Sequence, residues 1–84
     1  MPSLEEAVVD HYSFTMRVTG IDTSSDRYED ALFEAGCDDA LVAVVDGALV
    51  LDFDRAAASY ESAVRSATQS VEQAGGKVVA VEGR

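Results

Sequence analysis

The dipeptide Asp46-Gly47 stands between two apolar runs, 40–45 and 48–53, and no other feature limits the possible folds as strongly. Both residues tolerate the positive φ angles of a type I′ turn, so the two runs pair as a hairpin whose register follows by counting outward from the turn. Val45 is set opposite Ala48, Val44 opposite Leu49, Ala43 opposite Val50, Val42 opposite Leu51, Leu41 opposite Asp52 and Ala40 opposite Phe53. Side chains alternate along a strand, so Ala40, Val42, Val44, Leu49, Leu51 and Phe53 share one face, which is assigned to the core. Leu41, Ala43, Val45 and Val50 then point the other way and form an apolar patch near an edge.

The flanking segments extend this hairpin on both sides. Residues 12–18 alternate, with Tyr12, Phe14, Met16 and Val18 on one face and Ser13, Thr15 and Arg17 on the other, which predicts a half-buried strand. A helix is expected near 25–35, capped by Thr23 or Ser24, with Tyr28, Ala31, Leu32 and Ala35 inward, Phe33 off that stripe and Gly36 ending it. A second helix is expected from a Ser59 cap to about Ala74, with Tyr60, Ala63, Val64, Ala67, Val71 and Ala74 on one stripe and Gly75-Gly76 as its stop. A Val-rich strand over 77–82 follows. Residues 1–10 stay open, because Ser3 and Glu6 fit a capping box while Val8 and Val9 could extend the next strand. The chain therefore reads as one domain over 1–84 with a βαββαβ core at 12–82. That order closes as a ferredoxin-like α+β domain, a four-stranded antiparallel sheet of spatial order 4-1-3-2 with both helices on one face.

Charge limits the partners. Sixteen acidic residues against six basic ones give a formal charge of −10, which repels phosphate backbones and anionic membrane surfaces, so direct binding to nucleic acid or membrane is not expected. The first residues lack the basic and apolar regions of a signal peptide, and the lone Cys37 suits a reducing compartment, so a cytoplasmic location is expected. Between residues 22 and 39, seven carboxylates (Asp22, Asp26, Glu29, Asp30, Glu34, Asp38 and Asp39) oppose only Arg27. Asp26, Asp30 and Glu34 recur every four residues and share one outward helix face, which is either a solvated face or a docking surface for a basic protein. The spacing lacks the alternating ligands of a calcium loop.

No catalytic constellation is legible. Asp52 and Asp54 leave their strand opposite Phe53, a poor arrangement for a metal-bound phosphate, and Asp54 is expected to cap a turn. His11 is read as lying before the first strand, and Cys37 as a packed thiol whose acidic neighbours raise its pKa. No nucleophile, base and orienting group stand together, so a non-enzymatic role without cofactor or metal is expected.

Two resemblances bear on this. The element order is similar to that of heavy-metal-associated domains, whose Gly-Met-x-Cys-x-x-Cys loop binds a soft metal through two thiolates. Here the loop reads Gly20-Ile21-Asp22-Thr23-Ser24-Ser25-Asp26, so Thr23 and Asp26 replace both cysteines and metal binding is not implied. The stretch from Tyr28-Glu29-Asp30-Ala31-Leu32-Phe33-Glu34-Ala35-Gly36-Cys37, with Leu51-Asp52-Phe53-Asp54-Arg55-Ala56 and Val71-Glu72-Gln73-Ala74-Gly75 after it, resembles a small bacterial domain. That domain precedes helix-turn-helix segments in DNA-binding or antitoxin-like regulators. The sequence ends at Arg84 without such a segment, so the resemblance implies the regulatory or partner-binding half.

The expectation is thus an acidic protein-interaction module of a bacterial regulatory or antitoxin-like kind. It would act through the patch Leu41, Ala43, Val45 and Val50 and through Asp26, Asp30 and Glu34, as a homodimer or on a basic protein partner. The alternative covering of the patch is the segment carrying Leu4, Ala7 and Val8. The alternative function is a dimeric small-molecule sensor using the 20–25 loop.

Overall fold

Alternation along β1 (Asp10–Thr19) decides which side of the sheet becomes the core: Phe14, Met16 and Val18 are buried, while Arg17 and Thr19 are exposed. The computed structural model describes residues 10–24 and 27–83. After β1 come α1 (Tyr28–Glu34), β2 (Ala40–Val45), β3 (Ala48–Ala57), α2 (Tyr60–Gln73) and β4 (Lys77–Gly83). All pairings are antiparallel, and the sheet order is β2-β3-β1-β4, which is 4-1-3-2 read from the other edge. This α+β arrangement is consistent with the ferredoxin-like βαββαβ plan.

The hairpin has the register its turn dictates. All six pairs from Val45↔Ala48 to Ala40↔Phe53 occur, and Asp46 and Gly47 have φ of 53° and 80°. Leu49, Leu51 and Phe53 join Phe14, Met16 and Val18 in one buried cluster with Leu32 of α1 and Ala63, Ala67 and Val71 of α2. Phe14 and Phe53 stack at 5.3 Å between centroids. Both helices pack on this side, and no described helix lies on the other side of the sheet; the segment carrying Leu4, Ala7 and Val8 lies outside the described residues.

Several expectations are corrected. The helix expected over 25–35 is two turns long, because Ser24 donates both its amide (3.0 Å) and its hydroxyl (2.5 Å) to Asp22 Oδ1 and Arg27 takes the cap position without a side-chain capping bond. So short a helix meets the core along one line: Leu32 is buried and Tyr28 half-buried, whereas Ala31 and Phe33 are exposed. Val44 lies on the core side yet is 46% exposed, since β2 is an edge strand with little above its turn end. β1 starts earlier than expected and β3 ends later, so His11 and Asp54 both lie within strands and Asp54 caps no turn.

Both helix ends are closed in the same way. Gly36 donates to the Phe33 carbonyl (3.1 Å) and Cys37 to that of Leu32 (2.9 Å); Gly75 donates to Glu72 (3.0 Å) and Gly76 to Val71 (3.0 Å). These are Schellman motifs, and in the first the buried Cys37 folds back onto buried Leu32. At the other end of α2, Ser59 accepts from the Ser62 amide at 3.1 Å, as expected of a cap.

Candidate functional site

The helix-free face of the sheet is built by the residues that the core rejects. Cross-strand register places them in rows: Leu41, Asp52, Thr15 and Glu82 in one, and Ala43, Val50, Arg17 and Ala80 in the next. Val45 and Ala48 close the hairpin end of this surface, and Thr19 and Lys77 its opposite corner. Leu41 is 76% exposed and Val45 45%, large values for apolar strand residues, while Val50 is half-buried between its neighbours. Thr15, Arg17, Val50, Ala80 and Glu82 surround a shallow cleft of about 100 Å³ in the middle of the face.

Charge is distributed unevenly over the molecule. Strand positions on this face carry Asp52, Asp54 and Glu82 against Arg17 and Lys77, so the face is close to neutral in a chain of formal charge −10. Among the described residues no carboxylate forms an ion pair with Arg17, the cation at the centre of the face. At the far end, Asp54 lies 3.3 Å from Nδ1 of His11, an exposed pair of the kind that contributes about 0–1 kcal/mol. An open cleft of about 310 Å³ there is lined by Ser13, Asp38, Leu41, Asp52 and Asp54 among others.

The acidic surface is a separate feature. Asp30 and Glu34 are exposed on α1, while Asp26 lies outside the described residues. Asp39 does not belong to a free acidic surface. Its carboxylate receives Arg55 Nε at 2.7 Å and Nη2 at 2.9 Å, while Nη2 also donates to the Gly36 carbonyl (2.6 Å) and Nη1 to Ser66 Oγ (3.1 Å). Arg55 thereby ties the α1–β2 connection to β3 and α2, with its guanidinium 5.0 Å from the Phe53 ring centroid. The sequence reading missed this latch; its signal was a charged residue at an inward strand position after Phe53.

Burial pushes the Cys37 thiol up, Arg55 pulls it down, and Asp39 and Asp38 push it up again, so the group is a neutral packed thiol. Asp22 is held below the usual carboxylate range by its two bonds from Ser24, which close the 20–24 loop on itself. Among the described residues, no group of three or more His, Cys, Asp or Glu is placed to hold a metal ion. Nor is any described helix long and apolar enough to cross a membrane. No family model, curated protein or solved structure matches this chain.

Proposed function

We propose that this domain is non-catalytic and acts by protein association through the helix-free face, in a bacterial regulatory or antitoxin-like role in the cytoplasm. One observation carries the reading: Leu41, Ala43, Val45 and Val50 form an apolar surface on the side of the sheet that neither helix covers. Exposed apolar surface of this kind marks an interaction site. The acidic α1, with Asp30 and Glu34 exposed, adds a second surface suited to steering a basic protein partner.

Val45→Glu tests the reading, because the substitution puts a charge on the face without entering the core. Association of the wild-type chain, with itself or with a protein partner, is expected to weaken at least tenfold in sedimentation equilibrium or titration while the thermal midpoint of the monomer stays within a few degrees. Unfolding of the variant, or unchanged association, would contradict it. A thermal shift produced by a metabolite rather than a protein would favour a small-molecule sensor instead.

A further inference from the structure

We infer that the occupant of the helix-free face is a second copy of this chain, joined through Arg17 of each copy and Asp52 of the other. This rests on the association reading above and names its partner. Charge selects the partner first: a basic protein is drawn to the acidic parts of the molecule, whereas this face has three carboxylates against two cations over its strand positions and suits a surface like itself. The face also contains its own complement. Arg17 lacks an ion pair among the described residues and stands beside Val50 and Ala80, one row from Asp52 and Glu82.

Symmetry then fixes the pairing. In the aligned class of sheet packing, a two-fold axis between two facing sheets runs close to the strand direction or across it, giving aligned or reversed rows. Along the strands, β1 lies over β3 of the second copy, and Arg17 falls over its Val50, one pleat from its Asp52. Across the strands the two rows exchange, and Arg17 falls over the second copy's Thr15, between its Asp52 and Glu82. Asp52 is the acid within reach in both arrangements. In both, Ala43, Val50 and Ala80 supply the apolar centre.

The size fits a weak dimer. Strands about 4.8 Å apart and six residues long at about 3.3 Å each give a four-stranded face of about 400 Å² in projection. Two such faces bury about 800 Å² before side-chain relief is counted, the low end for specific association. β2 offers a competing mode through its open edge, which has neither charge nor proline, whereas the β4 edge has Lys77, Glu82 and an irregularity opposite Arg17 and Val18. Edge pairing would leave Arg17 unused.

Sedimentation equilibrium on the full chain, Arg17→Asp, Asp52→Arg and their equimolar mixture separates these cases, with far-UV circular dichroism confirming folding. The wild-type chain is expected to dimerise, each variant to weaken association at least tenfold, and the mixture to recover a heterodimer, because one of its two charge pairs is then native and the other is restored in reversed sense. Arg17→Gln replaces the first variant if Arg17→Asp does not fold. Wild-type-like dimerisation of the folded Arg17 variants would overturn the inference in favour of edge pairing, leaving the association reading in place. A wild-type chain that stays monomeric up to millimolar concentration would also overturn it, and the association reading would then stand or fall on Val45→Glu against a different protein.

Discussion

Cys37 shows how a single side chain is set by its place in the fold. It occupies the position after the Schellman glycine, where an apolar side chain folds back on its helix, and it is fully buried against Leu32. Burial raises its pKa in the folded chain, so the folded state holds the thiol proton to higher pH than the unfolded state does. The stabilisation is therefore complete below the ordinary thiol value of about 8.5 and is lost as pH rises through the higher folded value. Urea unfolding at pH 7 and pH 9.5 is expected to show the wild-type chain losing more stability than Cys37→Ala over that interval. Equal losses would show that the thiol titrates alike in both states. The packed thiol was legible because a glycine stop and its following residue form a local motif. The Arg55 latch was not, since its partners Gly36, Asp39 and Ser66 are 19, 16 and 11 residues away and only the closed fold brings them together.

At the scale of elements, the hairpin and α2 were readable because each is governed by local rules: a two-residue turn sets one register, and a serine cap and glycine stop bound one helix. α1 was misjudged because its start depends on how Ser24 spends its donors, a choice between Asp22 and a helix that composition does not reveal. β3 outran its apolar run because β1 continues to pair with it as far as Asp10↔Ala57, so a partner strand supplies what the sequence pattern lacks. The α2–β4 connection makes a sharp prediction. A Cβ at Gly76 would lie 2.8 Å from Val18 Cγ1 and 2.9 Å from both Ile21 Cδ1 and Val71 Cγ1, so Gly76→Ala overfills the contact between helix and sheet. A loss of about 1–3 kcal/mol in chemical denaturation is expected. A loss below about 0.5 kcal/mol would mean that the connection yields without strain.

For the whole molecule, the two sides of the sheet have divided roles. One side gathers Phe14, Met16, Leu51, Phe53 and the helix stripes into a single core, and the other presents apolar and balanced charged rows to solvent. Alternation made both sides visible in the sequence, including Leu41, Ala43, Val45 and Val50. The central position of Arg17 among Val50, Ala80 and Glu82 required all four strands in register and could not be read from one strand alone. The central claim is that the chain associates with itself through this helix-free face, and a dilution series followed by amide and methyl NMR tests it most directly. Shifts are expected at Ala43, Val45, Val50, Arg17 and Ala80, with Ala31, Gln73 and Ala74 on the helical side unchanged. Concentration-dependent shifts confined to the helical side, or none anywhere up to millimolar concentration in the absence of a second protein, would contradict self-association through this face.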